Sequence, residues 1–177
     1  MIIYGLHGWR GLTMTAIARD AAVGKALLYS RYSSPAEVLR SAFARHVPAP
    51  TSEPTTVRDL LVDEALHRGR LYLGEYALAA RRIQVDALAG IDTAQHIEQE
   101  IITRTVLAMR SRIRRAMASG ELPAHTSVTR LLDIVEGAIL VHTSVATPEL
   151  KAKVAGGLES YAHQLVEDQL RALACGQ

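Results

Sequence analysis

Residues 13–39, TMTAIARDAAVGKALLYSRYSSPAEVL, decide how this chain folds. Thr13 is an N-cap residue, whose hydroxyl can accept a free backbone N–H from a first short helix. Met14, Ile17, Ala18 and Ala21 recur at three- and four-residue steps and give that helix one apolar face. Ala22, Val23 and Gly24 then break the pattern, with Gly24 as flexible punctuation. Beyond them Leu28 and Tyr32 lie four apart and point inward with Val23. Lys25, Ala26, Tyr29 and Arg31 are left facing out, with Leu27 at the boundary. Ser34-Pro35-Ala36-Glu37 starts a third helix: serine as the cap, proline at the first helical position, glutamate three after the cap. Val38, Leu39, Ala42 and Phe43 carry its apolar stripe. The outcome is three short helices on one small core, the middle one turned as a helix-turn-helix turns its reading helix to a major groove.

Apolar spacing alone also describes an ordinary alanine-rich helical bundle, but the charge distribution argues for a nucleic-acid partner. Residues 1–46 hold six basic side chains (Arg10, Arg19, Lys25, Arg31, Arg40, Arg45) against Asp20 and Glu37, a net of +4. The rest holds 14 basic and 16 acidic residues, so a whole-chain charge of +2 conceals a basic head on a mildly acidic body. A basic head suits phosphate contact, the main source of sequence-independent affinity for DNA.

Gly8, Thr13, Met14, Ile17, Ala18, Val23, Lys25, Leu28, Tyr29, Tyr32, Ser34, Glu37 and Leu39 stand at the spacing of the DNA-binding head of the TetR family of bacterial repressors, which residues 8–46 resemble. The resemblance implies an all-α protein with a helix-turn-helix head and a helical-bundle body for ligand binding and dimerisation. It places Lys25, Ala26 and Leu27 against base edges, Thr13 and Tyr29 on phosphates, and Arg31 on the same exposed side. Leu28 and Tyr32 would hold the reading helix to the head's core. Four features depart from the pattern. Ala22 stands where the family has a glycine in a positive-φ turn, a cost of about 1 kcal/mol unless Gly24 absorbs the strain. Pro35 replaces a lysine that donates to a phosphate. Leu27 replaces a small polar residue, which favours a thymine methyl over a hydrogen bond. Only MIIYGLH precedes Gly8, where the family has a longer first helix and often a basic arm, so Met1 reads as an internal or shortened start.

The remaining 131 positions read as linker and body. A chain of 177 residues, 49% apolar and 21% charged, suits one large or two small globular domains. No run of 18 apolar residues or secretory signal is visible, and the lone Cys175 excludes an internal disulfide, so the cytoplasm is the expected location. Pro48, Pro50 and Pro54 mark residues 47–55 as a stiff linker between a head at 1–46 and a body at 56–177. Helix signals follow: a capping box at Thr56–Asp59, possible bends at Gly69 and Gly74, a break at Gly90, a start at Asp92, a stop at Ser119-Gly120, and a cap at Thr147-Pro148.

Residues 127–146 are apolar around much of their circumference and must be covered on more than one side. With the stripe on the final helix they suit either a monomer core or an isologous four-helix interface. The family dimerises through its last two helices, which implies an interface at Leu131, Val135, Ala138, Ile139, Val145, Val154, Leu158, Tyr161 and Leu165. A homodimer spaces two reading helices about 34 Å apart, matching a palindromic operator in double-stranded DNA. The resemblance also implies an inducer, a largely apolar small molecule held by Leu71, Tyr72, Tyr76, Ile83, Val106, Met109, Ile113 and His142. The same residues suit an ordinary core.

Two other readings stay open. Glu64-Ala-Leu-His67 has the Glu-x-x-His spacing of carboxylate-bridged metal bundles, but no second copy or inward glutamate pair accompanies it. No phosphate loop, nucleophile elbow or cysteine cluster is present, so a helical enzyme is disfavoured and no metal or cofactor is expected. A helical interaction module that has lost DNA binding fits the short first helix and Ala22.

Overall fold

The computed structural model describes residues 1–47, 54–144 and 147–175, with side chains omitted at 101, 102, 104 and 148. The described residues form helices and connectors without strands. In chain order these are α1 (Ile2–Gly11), α2 (Met14–Asp20), α3 (Lys25–Arg31), α4 (Pro35–His46), α5 (Val57–Leu73), α6 (Ala77–Leu88), α7 (Asp92–Glu98), a π-helical stretch (Gln99–Thr103), α8 (Arg104–Ala118), α9 (Val128–Ser144) and α10 (Pro148–Cys175). The fold is all-α, as the sequence implies. No described helix is long and apolar enough to cross a membrane.

The chain divides into two compact units, one of Met1–Ala49 with Gly74–Arg104, the other of Pro50–Leu73 with Thr105–Gln177. This division differs from an expected boundary at the proline-rich stretch, most of which (48–53) lies outside the described residues. Residues 74–104 group with the head because α1 packs on α6, and α4 on α7. Tyr4 is the pin. It is fully buried, sets its ring edge-on to Trp9 and Phe43, and donates from its hydroxyl to Asp86 Oδ2 at 2.5 Å. Burial, with Asp86 as acceptor, pushes the phenol pKa well above its ordinary value. Arg82 Nε donates to the Gly5 carbonyl at 3.0 Å and ties α6 to α1 a second time.

In the second unit α5 lies against both α9 and α10. Thr56 and Asp59 cap α5 reciprocally, as the sequence suggests: Asp59 N–H donates to Thr56 Oγ1 at 3.1 Å, and that hydroxyl donates to Asp59 Oδ2 at 2.7 Å. Glu121, from the connector after α8, adds a second cap by accepting the Val57 N–H and Arg112 Nη1. Gly90 and Gly120 end α6 and α8 with φ of +80°.

Asp92 opens α7, as its start signal implies, with Ile91 at the cap position and the Asp92 charge in the first turn, where it suits the helix dipole. Gly69 does not bend α5. It lies inside the helix because a Cβ there would stand 2.5 Å from Leu158 Cδ1, so the missing methyl lets α10 approach. Gly69→Ala should therefore cost about 1–3 kcal/mol by overpacking. A urea melt followed by circular dichroism checks this; an unchanged midpoint would mean Leu158 moves aside freely.

Candidate nucleic-acid interface

Helices α2 and α3 each have seven residues, too few to persist alone, and one small core holds them. Met14, Ala18 and Leu28 are its buried members, with Ile17, Tyr32 and Val38 packed against them. Val23, expected inward, is instead 36% exposed at the turn. Leu28 is the sole α3 residue that is buried. Lys25, Ala26, Leu27, Tyr29, Ser30 and Arg31 all face solvent, and Leu27 and Tyr29 are more than half exposed. Large apolar and aromatic groups left open on a charged helix are what a contact surface requires.

Each end of the motif is fixed locally. Thr13 Oγ1 accepts the Ala16 N–H at 3.1 Å, which caps α2 and leaves the hydroxyl proton free to donate to a phosphate. Ser34 Oγ accepts the Glu37 N–H at 3.2 Å, with Pro35 in the first turn of α4. Glu37 reaches back to accept from Ser33 N–H at 2.7 Å and Ser33 Oγ at 2.8 Å, which lowers its carboxyl pKa. Glu37 thus caps the helix as a carboxylate, and the head keeps its net of +4 with that charge already counted. Arg10, Arg19, Lys25, Arg31, Arg40 and Arg45 are all exposed, and none forms an ion pair within 4.0 Å among the described residues.

The strain question has a definite answer. Ala22 takes φ of +51°, whereas Gly24 stays extended at φ −66° and serves as the α3 cap position. Gly24 absorbs nothing; the alanine carries the turn.

Several relatives bear on this geometry. No family model matches the chain. Uncharacterized HTH-type transcriptional regulators of Mycobacterium bovis (Mb1581) and Mycobacterium tuberculosis (Rv1556) are 23% identical over 142 residues, covering 78% of this chain and 69% of theirs. Among solved structures, Salmonella enterica GusR superposes with a TM-score of 0.62 at 14% identity, covering 95% of this chain and 89% of that one. The chain resembles helix-turn-helix transcriptional regulators. The curated relatives are helix-turn-helix regulators rather than enzymes, and the likeness to GusR is one of fold; both agree with the helix-turn-helix reading of the head.

The other expected site residues are distributed differently. Of the ligand set, Tyr76 and Ile83 fall in the first unit, and Leu71, Tyr72, Val106, Met109, Ile113 and His142 in the second. Tyr72, Ile83, Met109 and Ile113 are buried as core, while Leu71, Tyr76, Val106 and His142 are half-buried. Tyr76 packs on the His46 ring and His142 stacks parallel to Tyr161, with centroids 3.9 Å apart. A cleft of about 400 Å3 lies between α4 and α7, lined by Ser33, Ser34, Glu37, Arg40, Thr93 and His96 among others, and none of the eight lines it.

The dimer set needs correction. Leu131, Val135, Ile139 and Leu158 are at most 4% exposed within the single chain, so they hold α5, α9 and α10 together and offer no face to a second copy. Ala138, Val154, Tyr161 and Leu165 are half-buried, and Val145 lies outside the described residues. The open apolar positions are Ile134 at 38%, Val141 at 63% and Leu150 at 47%. Ile134 and Val141, seven apart, share one side of α9, a period visible in the sequence but masked by its nearly continuous apolar run.

Ala22→Gly should stabilise the chain by about 1 kcal/mol by relieving the left-handed alanine. A higher urea midpoint with unchanged slope checks it, and a lower midpoint would show that the turn gains more from the alanine's restricted unfolded state.

Proposed function

We propose that this chain is a homodimeric, cytoplasmic repressor that binds a palindromic operator through α2 and α3 and is released by a small molecule. The observation that carries the proposal is α3: one side chain inward, Lys25, Ala26, Leu27, Tyr29 and Arg31 outward, on a head of net charge +4. Lys25 donates to guanine or phosphate, and Leu27 meets a thymine methyl. Thr13 and Tyr29 hold phosphates and set the register of the helix. Arg31 adds charge at the far end of α3.

The dimer reading draws on the open side of α9 with Leu150 and the half-buried Val154, Tyr161 and Leu165 of α10. The ligand reading draws on the TetR-like fold and on the half-buried aromatic and apolar groups of the second unit. A ligand that releases DNA must bind the two states of the protein with different affinity, a coupling typically of order 1–3 kcal/mol.

Fluorescence anisotropy against DNA from upstream of the chain's own gene, with scrambled competitor at two salt concentrations, tests the reading. Lys25→Ala should weaken specific binding by about 1–3 kcal/mol, and Tyr29→Phe should weaken all sequences alike. Unchanged affinity in Lys25→Ala would refute the assignment of α3, and a protein silent toward all DNA would favour the interaction-module alternative.

Val141→Glu places a charge on an exposed position that contributes nothing to the monomer core, so it should shift sedimentation from dimer to monomer while the melting temperature of the monomer holds. A dimer of unaltered affinity would remove α9 from the interface.

A further inference from the structure

The second unit contains a charged cluster that the DNA-binding reading does not use. Glu64 and Arg68, one turn apart on α5, are 1% and 4% exposed, and Arg68 Nε donates to Glu64 Oε1 at 2.6 Å. Glu64 Oε2 is buried and meets no hydrogen-bond donor among the described residues. Glu136, half-buried on α9, lies near enough to act electrostatically on Arg68 and to feel Glu64 in return. Two further charges reach Glu136, Asp133 and Arg110, of opposite sign to each other. Counted around Glu136, three carboxylates (its own, Glu64 and Asp133) face two guanidinium groups (Arg68 and Arg110), while the exposed Arg70 acts on His67.

Burial pushes the Glu136 carboxyl up, and the nearby Glu64 adds to this against the pull of Arg68. His67 does not make up the missing positive charge, because burial lowers its pKa and favours the neutral ring. Burial also works against the Arg68 charge, but Glu64 and Glu136 more than offset it and raise its pKa. A buried carboxylate with one oxygen unsatisfied is costly, and a second donor removes that cost.

We propose that Glu64, Arg68 and Glu136 form the polar anchor of the effector site, and that the effector is a cationic N–H donor, an ammonium or amidinium on an apolar skeleton, received by Glu64 Oε2. Arg68 holds Glu64 in position through Oε1, which leaves Oε2 for the ligand. Tyr72, one turn along α5 and near Arg68, supplies apolar wall for the skeleton. The Glu-x-x-His spacing at Glu64 and His67 thus belongs to an organic cation site; among the described residues no group of three metal-binding side chains gathers. This inference rests on the ligand-responsive reading above.

The test uses the full chain with butylamine, benzylamine and 2-phenylethylamine, each set against the alcohol and the carboxylate of the same skeleton. The amines alone should raise the melting temperature saturably. Glu64→Gln should weaken their binding in calorimetry by about tenfold or more, and it should also lower the melting temperature of the free protein, because it takes the charged partner from the buried Arg68. Glu136→Gln, at a half-exposed position, should weaken it in the same direction and serves if Glu64→Gln does not fold. No shift from any amine, an equal shift in the variants, or preference for the carboxylates overturns the proposal. A parallel operator titration separates the two readings. Glu64-dependent amine binding by a protein that ignores DNA would keep the anchor and fail the regulator, whereas operator binding without amine binding would do the reverse.

Discussion

The presentation of the reading helix depends on Leu28. Helix α3 has seven residues and one buried side chain, and a helix that short does not persist in water without tertiary support. Leu28 supplies the support by seating on Met14 and Ala18. Burying a leucine contributes about 1.5–3 kcal/mol, which exceeds the roughly 1 kcal/mol that the left-handed Ala22 costs at the preceding turn. The sign of that difference matters, because the turn must hold α3 at a fixed angle to α2. With one position spent on packing, the other six side chains are available for contact. A second inward residue on α3 would make the helix firmer and the surface narrower.

Where a signal is local, the sequence was readable. The caps at Thr13, Ser34 and Thr56 each need a side chain and a backbone N–H within three residues, and all three form as expected. Gly90 and Gly120 end helices because a positive φ is cheap for them. The outward face of α3 was equally plain, since Leu28 and Tyr32 leave the remaining positions no core to enter. Asp92 shows the limit of such signals: an aspartate before a helical run marks either the cap or the first turn, and the residue type alone does not distinguish them.

What the sequence hid is long-range. Tyr4 and Asp86 are 82 positions apart, and nothing near either announces the hydrogen bond that groups residues 74–104 with the head. The π-helical stretch at Gln99–Thr103 interrupts what reads as one amphipathic run from Asp92 to Ala118. A one-residue change in hydrogen-bond register leaves the apolar spacing nearly unaltered, so periodicity cannot detect it. On α9 the signal was too strong rather than too weak. With apolar residues on almost every side, the sequence did not say which of them met α5 and which remained open. Burial separates Val135 and Ile139 from Ile134 and Val141.

The charged cluster on α5 follows from the same helix's position. Val57, Leu61, Val62, Ala65, Gly69, Tyr72 and Leu73 are buried alongside Glu64 and Arg68, so one broad face of α5, about half its circumference, is closed to solvent with both charges on it. Gly69 secures one side by admitting Leu158. Arg68 has no route to solvent from such a face, and its charge must be met inside the unit. A leucine and a methionine at positions 64 and 68 would fill comparable volume without desolvating two ions, and replacements of that kind are often neutral or stabilising. Stability therefore gives no reason to keep an ion pair there, and still less one with an idle carboxylate oxygen. Recognition of a positively charged ligand does give a reason, because only an acceptor that the protein leaves unpaired in the unliganded state can be paired by what arrives.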